Sequence, residues 1–316
     1  MKPFAFIFPG QGSQSVGMLD AWGDHTVVRD TLQEASEALG EDLAKLIHEG
    51  PKETLALTTN TQPVMLVAGV AAYRVWMSEV GLVPQAVAGH SLGEYAALVA
   101  AGALTLTQAA PLVRLRAQAM QDAVPVGTGA MAAILGMDAV RVAALCVEVT
   151  QEFGLASPEV VEAANFNDPS QTVISGSKAA VDRACEVLKA NGAKRALLLP
   201  VSAPFHSSLM LPAAEKLQQR LAEVEFSAPH IALVNNIDVA VEGDLARIRD
   251  ALYRQAFGPV RWVETVLKLK AMGMGHLVEC GPGKVLAGLV KRIDPELVGA
   301  AVFDPASLIE AQGALA

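Results

Sequence analysis

The chain has 316 residues, 52% of them hydrophobic and 18% charged, and its 24 basic and 33 acidic side chains give a formal net charge of −9. This composition is typical of a large globular protein and excludes a disordered or fibrous chain. The acidic balance offers no overall attraction to nucleic acid or to an anionic membrane, so neither is expected as a partner.

The cysteine content argues against a disulfide framework. Cys146, Cys185 and Cys280 are odd in number, widely spaced and free of any C-x-x-C pattern, which also argues against a zinc site. We therefore expect reduced thiols, no bound metal and a cytoplasmic protein.

The two most apolar segments do not have the length of a signal peptide or a membrane span. The run from Phe4 to Phe8 turns polar after Pro9 and is too short for the core of a signal peptide. The stretch from Val64 to Met77 contains Arg74 and is shorter than the ~20 residues that a membrane-spanning helix needs. It predicts a buried helix.

The first part of the chain alternates strand and helix patterns, as in α/β proteins. In chain order we predict a strand at Phe4–Phe8, helices at Thr26–Leu39 and Thr61–Val80, a strand at Gln85–Gly89 and a helix from Leu92 to Gly102. Ser91 therefore lies in a turn between a strand and a helix.

A change of rhythm at Pro125 to Gly129 indicates a second unit. The predicted elements that follow are a strand at Met131–Leu135, a helix at Asp138–Phe153, strands at Val160–Ala164 and Thr172–Ser175, a helix at Ala179–Ala190 and a strand at Ala196–Val201. This βαββαβ order is typical of a ferredoxin-like unit.

Long helices and short apolar strands resume after Pro204, and a strand at Leu277–Glu279 leads into a Gly281-Pro282-Gly283 turn. We therefore predict an α/β fold with a large α/β-hydrolase-like subdomain built on a short parallel sheet, residues 1–126 and 203–316. A small ferredoxin-like subdomain, residues 127–202, is inserted into it.

The segment Gly89-His90-Ser91-Leu92-Gly93 fits the G-x-S-x-G pattern of a nucleophilic serine. Small flanking residues allow a sharp turn that presents the hydroxyl at the N-terminus of a helix, where free N–H groups stabilise negative charge. A nucleophilic serine needs a base, and His206, in a loop after a predicted strand, is the best of six histidines. The other five remain open.

Neither a third catalytic residue nor an oxyanion hole can be chosen from the pattern alone. Several acidic residues lie between Ser91 and His206, and nothing distinguishes one from another. The turn after the first strand, Pro9 to Gln14, could direct an N–H group at an oxyanion, but a plain connection between strand and helix explains it equally well.

Two arginines, Arg114 and Arg116, stand in an otherwise apolar helix and point to different faces because they are two residues apart. One can reach solvent along its aliphatic stem, whereas the other needs a partner. A fixed guanidinium is well suited to gripping a carboxylate with two hydrogen bonds.

Taken together, the motifs closely resemble the bacterial malonyl-CoA:acyl carrier protein transacylases of fatty-acid synthesis. The resemblance runs through nearly the whole chain. It is carried by residues 8–14, Thr61-Gln62-Pro63, residues 89–95, residues 127–133, Asn165 with residues 167–176, residues 203–206, Val234-Asn235-Asn236, Arg254-Gln255 and residues 281–286.

The resemblance implies a role for each matching residue. Ser91 is the nucleophile and His206 the general base, with the backbone N–H groups of Gln11 and Leu92 forming the oxyanion hole. Arg116 grips the malonyl carboxylate. The remaining family positions that contact the substrate or line the site are Met120, Asn165, Phe205 and Gln255. In this family a main-chain carbonyl near Gln255 orients the histidine, which replaces the acid of a triad.

The implied reaction is a ping-pong transfer of malonyl from malonyl-CoA to the phosphopantetheine thiol of an acyl carrier protein, without any cofactor. Acetyl transfer is expected to be poor because it lacks the carboxylate, and Phe205 disfavours a methyl-branched extender. The pathway is fatty-acid or polyketide synthesis, and a monomer is expected. We also hypothesise that the acidic carrier protein docks on basic residues near the cleft: Lys284, Lys291, Arg292 and Arg195.

The main alternative is a serine thioesterase or esterase of the α/β-hydrolase kind, which shares G-x-S-x-G and the order of serine before histidine. The inserted ferredoxin-like unit and the turn at residues 10–14 argue against it. A carrier-binding scaffold without turnover is a further alternative, but it predicts the loss of the serine, the histidine or the arginine.

Overall fold

The computed structural model describes residues 2–154, 156–201 and 203–316. Its strands, in chain order, are β1 (Phe4–Phe8), β2 (Ala86–Gly89), β3 (Gly129–Leu135), β4 (Val161–Asp168), β5 (Gln171–Ser177), β6 (Arg195–Leu198), β7 (Ala232–Val234), β8 (His276–Cys280) and β9 (Val298–Val302). Its helices are α1 (Thr26–Leu39), α2 (Leu43–Glu49), α3 (Lys52–Leu55), α4 (Thr58–Glu79), α5 (Gly93–Ala100), α6 (Leu106–Gln121), α7 (Ala139–Glu152), α8 (Lys178–Ala190), α9 (Leu211–Glu223), α10 (Leu245–Phe257), α11 (Trp262–Ala271), α12 (Val285–Ile293) and α13 (Pro305–Leu315).

Five strands form a parallel sheet in the order β7-β2-β1-β8-β9. The predicted α/β fold class is therefore confirmed. Because all five strands run in the same direction, the loops that follow β1, β2, β7 and β8 come together at one edge. Ligands of open parallel sheets bind at this edge, beyond the carboxyl ends of the strands.

The central strand β1 is buried on both faces, which explains its continuous run of apolar residues. Phe4, Phe6 and Phe8 point to the face covered by α4, where Phe6 meets the Trp76 ring edge to face at 5.4 Å. Ala5 and Ile7 belong to a separate cluster with residues of α11 and α12. Helices on both sides thus hold the sheet rigid beneath the loops.

Helix α4 is the buried helix that the apolar stretch predicts, and it begins at Thr58 rather than at the predicted Thr61. Pro63 lies inside it and cannot donate to the carbonyl of Thr59. The guanidinium of Arg114 donates to that carbonyl instead. None of the described helices is both long enough and apolar enough to cross a membrane.

The second sheet is antiparallel, with the order β4-β5-β3-β6. Together with α7 and α8 it has the predicted βαββαβ sequence and the strand order of a ferredoxin-like unit. All four strands fall within the predicted insertion, residues 127–202. The insertion's limits stay a prediction, and residue 202 lies outside the described residues.

The two sheets are joined where β4 approaches the loop before α11. Phe166 N–H donates to the Val260 carbonyl (2.9 Å), and Val260 N–H donates to the Ala164 carbonyl (2.8 Å). Nearby, Arg292 at the end of α12 forms an ion pair with the buried carboxylate of Asp168 (3.1 Å). These contacts place β4 and β5 opposite the loops at the edge of the parallel sheet and leave a cleft between them.

Candidate active site

Ser91 occupies the sharp turn between β2 and α5, with a backbone φ of 52°. This left-handed conformation is uncommon for a residue with a Cβ and is found where tertiary structure enforces it. The flanking glycines are required by space, since a Cβ on Gly89 would lie 1.9 Å from the Gly93 carbonyl carbon, and one on Gly93 would lie 2.0 Å from the Phe8 oxygen. The turn therefore projects the hydroxyl into the cleft.

Asn236, in the loop after β7, supports this turn from below. Its side-chain oxygen accepts a hydrogen bond from the Ser91 N–H (2.7 Å), and its amide nitrogen donates to the Gly89 carbonyl (2.6 Å). Asn236 is fully buried. The Asn236 side chain thus pairs with two backbone groups of the turn, the Ser91 N–H and the Gly89 carbonyl.

The structure brings Ser91 and His206 together, with 2.6 Å between the Ser91 Oγ and the His206 Nε2. The other ring nitrogen, Nδ1, lies 2.9 Å from the Gln255 carbonyl oxygen and 3.1 Å from that of Gly258. Carbonyl oxygens only accept hydrogen bonds, so Nδ1 carries the proton and Nε2 is free to accept the serine proton. Main-chain oxygens therefore orient the imidazole.

His206 is buried, and like Ser91 it has a positive φ, 60°. Burial, followed by the positive charge of Arg116, lowers the pKa of His206 to about 3, against the hydrogen bonds to the two carbonyls. Both causes disfavour the imidazolium. His206 is therefore neutral and able to act as a base.

The backbone N–H groups of Gln11 and Leu92 are placed as possible oxyanion donors. Gln11 follows β1 and Leu92 begins the turn into α5, so both lie at the same edge of the sheet as Ser91. Within the described part of the chain neither N–H has a hydrogen-bond partner. The Gln11 side chain is held by the Thr58 hydroxyl, 2.5 Å from its Oε1.

Arg116 of α6 is buried and points at the nucleophile. One terminal nitrogen lies 3.2 Å from the Ser91 Oγ and 3.1 Å from the Gln255 Oε1, and the other lies 2.5 Å from the Gln62 Oε1. The guanidinium also lies over the Tyr95 ring at 5.6 Å. Burial lowers the pKa of Arg116 from its ordinary value, but an arginine stays charged.

None of the ion pairs formed by the described residues includes Arg116, whose partners are neutral oxygens and an aromatic ring. Arg114, two residues earlier, pairs with Glu41 at the surface. The two arginines therefore point to different faces of α6, as their spacing predicts, and Arg114, the one toward the surface, is paired with a carboxylate. The carboxylate that acts on the charge of Arg116, Glu94, is separated from it by the Gln255 amide. A buried cation without a directly paired carboxylate is unfavourable, so the guanidinium can pair with an incoming anion.

A cavity of about 360 Å³ opens over Ser91 between the two sheets. Met120, Asn165 and Phe205 line it, as the resemblance implies, together with Gln11, Leu92, Arg116 and His206. The Asn165 Oδ1 is buried and has no hydrogen-bond partner among the described residues. His90 lines the cavity too, but its Nε2 meets the Asn167 Oδ1 (2.9 Å) instead of Ser91.

Gln255 is the one implied site residue that does not line this cavity. Its side chain is fully buried behind Arg116 and Ser91. The side-chain amide forms hydrogen bonds with Arg116, the Ser91 carbonyl and Glu94. Its side chain therefore acts on the Ser91 hydroxyl only through its neighbours, whereas its backbone carbonyl contacts the His206 ring directly (2.9 Å).

Sequence reasoning missed three buried residues of this site: Gln62, Glu94 and Asn236. Each lies inside a motif quoted above for the resemblance, yet none has a local pattern that signals a role. Their partners are distant in sequence, since Glu94 meets residues 142 and 161 positions away. Burial raises the pKa of Glu94 to about 7, although its hydrogen bonds and the charge of Arg116 lower it.

Comparisons with known proteins identify the family. Residues 5–297 match the family model of the acyl transferase domain. A malonyl CoA-acyl carrier protein transacylase of Salmonella typhimurium is 52% identical over 309 residues, with 98% of each chain covered. The chain belongs to the malonyl CoA-acyl carrier protein transacylases of the acyl transferase family.

This acyltransferase is also similar to solved structures of the family. The crystal structure of an acyl-carrier-protein S-malonyltransferase from Burkholderia pseudomallei is 63% identical, with a TM-score of 0.95 and coverage of 99% of this chain and 100% of that one. A malonyl-transacylase in complex with its type II polyketide synthase acyl-carrier protein is 50% identical, with a TM-score of 0.95 and the same coverage.

Proposed function

We propose that this acyltransferase moves a malonyl group from malonyl-CoA to the phosphopantetheine thiol of an acyl carrier protein, through an ester on Ser91. The observation that carries this assignment is the position of Arg116. Its buried guanidinium lies 3.2 Å from the nucleophile and has no carboxylate partner among the described residues. An acyl group that bears a free carboxylate complements this charge.

In the loading half-reaction the Ser91 Oγ attacks the thioester carbonyl carbon while His206 Nε2 takes the hydroxyl proton. The tetrahedral oxyanion forms next to the N–H groups of Gln11 and Leu92, which need no reorganisation to donate to it. When the carbon–sulfur bond breaks, the proton on His206 passes to the departing thiolate of coenzyme A. The product is a malonyl ester on Ser91.

The transfer half-reaction runs the same steps in reverse. The carrier's thiol gives its proton to His206 and its sulfur attacks the ester carbonyl, and the carbon–oxygen bond then breaks. The proton returns to the Ser91 oxygen and restores the free enzyme. The steps use only the two thiols, the ester and these protein groups.

Selectivity for malonyl rests on Arg116 in this proposal. Two charge-assisted hydrogen bonds to a carboxylate in a buried site are lost entirely with an acetyl group. Phe205, immediately before the base and lining the same cavity, limits the room for a branch next to the thioester. The cavity is therefore expected to accept a malonyl group more readily than a methylmalonyl group.

The acyl carrier protein is proposed as the second substrate from the relatives' names and from the solved complex of a similar enzyme with its carrier. Lys284, Lys291 and Arg195 are exposed, and none of them forms an ion pair with another described residue. Arg292, by contrast, forms an ion pair with Asp168. A cytoplasmic location remains a proposal, supported by the three cysteines, which are buried free thiols.

The test is mass spectrometry of Ser91 after exposure to malonyl-CoA. We expect a malonyl adduct that persists in water and disappears when holo carrier protein is added, and no adduct in the Ser91→Ala variant. An adduct that water removes as fast as it forms would assign the chain to the thioesterases. Normal carrier malonylation by Ser91→Ala would overturn the serine mechanism.

The carboxylate grip is tested by competition of malonyl-, methylmalonyl- and acetyl-CoA for Ser91. In Arg116→Ala we expect malonyl loading to fall by about 10²–10³ in kcat/KM, because two charged hydrogen bonds are lost, while acetyl loading changes little. Arg114→Ala, on the same helix but paired with Glu41, is the matched control and should keep the parental preference. Equal loading of acetyl and malonyl by the parent would refute the grip.

A further inference from the structure

Glu94 is a buried carboxylate directly beneath the serine turn, in the first turn of α5. Its Oε2 accepts two hydrogen bonds, one from the Asn236 N–H (3.0 Å) and one from the Gln255 side-chain amide (2.8 Å). These residues lie on different elements, the loop after β7 and helix α10. One carboxylate thus joins three parts of the chain that meet under the active site.

Each of its two partners reaches a reacting group. Asn236 supports the Ser91 turn through its side chain, as described above. Gln255 has two oxygens with separate tasks, since its side-chain Oε1 accepts from Arg116 and its backbone carbonyl accepts from His206. Its amide nitrogen also donates to the Ser91 carbonyl (3.1 Å).

Glu94 supports the orientation of the Gln255 amide. An amide can present its oxygen or its nitrogen to Arg116, and only the oxygen can accept from a guanidinium. On the far side of the amide, the Glu94 Oε2 and the Ser91 carbonyl both accept from its nitrogen, which favours the same orientation. The contact with Glu94, at 2.8 Å, is the shorter of these two hydrogen bonds.

We propose, resting on the malonyl transfer assigned above, that Glu94 is a positioning residue for acyl transfer. By accepting from Gln255 and Asn236 it sets the position of the Arg116 guanidinium and of the serine turn. Glu94 touches no substrate and acts only through these neighbours. Its effect therefore falls on recognition of the acyl carboxylate as well as on the rate of serine attack.

A purely structural acid would behave differently. Removing it would lower the fraction of active enzyme, leaving the KM for malonyl-CoA and the preference over acetyl-CoA unchanged in the molecules that remain folded. A positioning acid changes both, because Arg116 loses its defined place. The two roles are separated by kinetics corrected for the active fraction.

Three substitutions test the proposal. Glu94→Ala removes the acceptor, Glu94→Asp keeps the charge but draws the oxygens back by one methylene, and Glu94→Gln keeps an oxygen at the same reach without the charge. Loading of Ser91 from malonyl-CoA and from acetyl-CoA is timed for each by quenched-flow mass spectrometry. The active fraction is counted with a neutral sulfonyl fluoride that labels Ser91, and folding is followed by thermal unfolding.

We expect Glu94→Ala and Glu94→Asp to raise the KM for malonyl-CoA and to lower kcat/KM for malonyl loading by about tenfold or more, since the two hydrogen bonds from Gln255 and Asn236 are lost. The malonyl-to-acetyl ratio should fall with it. Glu94→Gln should recover most of the loss. This result would show that the position of the acceptor oxygen at residue 94 affects malonyl loading more than its negative charge does.

Other outcomes decide against the proposal. Equal impairment in Glu94→Gln and Glu94→Ala would show that charge, not position, matters. A parental KM and a parental malonyl-to-acetyl ratio in Glu94→Asp, or failure of both Glu94→Ala and Glu94→Asp to fold, would assign a structural role. If the parental enzyme itself acquires no malonyl group on Ser91, the proposed function fails instead, which the parallel parental reaction reveals.

Discussion

Ser91 and His206 both adopt left-handed backbone conformations, and both are held there by contacts from other parts of the fold. Asn236 pairs with the N–H of the serine, and two carbonyl oxygens pair with the ring of the histidine. Strain of this kind costs of order 1–3 kcal/mol per residue and persists only where the surroundings enforce it. The reactive pair is thus pre-arranged before substrate arrives.

The depressed pKa of His206, about 3, leads to a prediction about pH. The base is active when neutral, so activity is lost only as the pH falls through that low value. We expect the rate of Ser91 loading to stay nearly level as the pH falls from about 8 to about 5, passing through the ordinary histidine pKa of about 6.5. Burst kinetics across a buffer series of constant ionic strength measures this.

The control for that experiment is Glu94→Gln. The pKa of Glu94, about 7, lies within the same pH range, and its titration could alter the rate independently of His206. The variant removes this second group. An acid limb centred near the ordinary histidine value in both proteins would contradict the neutral-base interpretation.

At the scale of elements, the junction of β1, β2 and α5 depends on close backbone-to-backbone contact, which leaves no room for a side chain at Gly93. Gly93→Ala would place a Cβ 2.0 Å from the Phe8 oxygen, so we expect β1 and the serine turn to separate. The predicted cost is about 1–3 kcal/mol or more of unfolding free energy, with loss of Ser91 loading. Urea unfolding and mass spectrometry measure the two effects.

Gly288→Ala is the matched control for that substitution. Gly288 lies inside α12, and a Cβ there would meet nothing within 4 Å. It should stabilise the protein by about 0.5–1 kcal/mol, because alanine favours a helix more than glycine does. Equal effects of the two substitutions would show that close approach at Gly93 is unimportant.

The start of α12 offers a second prediction at this scale. Glu279, at the end of β8, is fully buried and accepts a hydrogen bond from the Ala287 N–H (2.8 Å). Burial raises its pKa from 4.5 to about 7, against the hydrogen bonds from the helix. Because the folded pKa is raised, the stability that the neutral acid contributes is fully present below about pH 4.5 and is lost as the pH rises through about 7.

Glu279→Gln mimics the neutral acid and should remove this loss. Relative to the parent, the variant should gain up to about 2–3 kcal/mol of unfolding free energy between about pH 5 and about pH 9. Urea titrations at both pH values measure it. Glu310→Gln, at an exposed site on α13, is the control. A difference between Glu279→Gln and the parent that does not vary with pH would contradict the assignment.

At the scale of the molecule, the cleft exists because the antiparallel sheet packs across the loops of the parallel one. The four basic residues predicted to meet the carrier protein fall into two groups. Lys284, Lys291 and Arg195 are exposed, whereas Arg292 forms an ion pair that links α12 to the buried Asp168 of β4. We therefore expect the first group to serve a docking partner.

This division predicts two kinetic signatures for charge reversal. Glu at positions 284, 291 and 195 should slow transfer to the carrier protein by about tenfold while sparing Ser91 loading, since exposed charges steer association. Arg292→Glu should slow both half-reactions because it also disturbs the contact between the sheets. Single-turnover rates of each half-reaction give the comparison, with Lys45→Glu, an exposed site on α2, as the control. Equal losses in both half-reactions for the first group would refute docking there.

Much of this architecture could be predicted from local sequence. Periodicity located seven of the nine described strands, all except β7 and β9, and the buried helix α4, with ends displaced by a few residues. The βαββαβ order predicted the ferredoxin-like unit. The Ser91 turn was predictable because glycines that allow close approach stand next to the residue they serve. The pattern alone favoured His206 as the base for Ser91, and the family resemblance added the role of Arg116, which the pattern had left open between Arg114 and Arg116.

The remaining features were decided by tertiary structure. The chain alone could not show that Gln255 lies behind Arg116, that Arg116 forms no ion pair among the described residues, or that Glu94 links α5 to α10, because these contacts join residues far apart in sequence. Local patterns report the conformation of neighbours, whereas burial, pKa and hydrogen-bond partners depend on which distant elements pack together. The sequence thus indicated most of the elements and the candidate nucleophile Ser91, whereas packing decided the electrostatic environment of that serine.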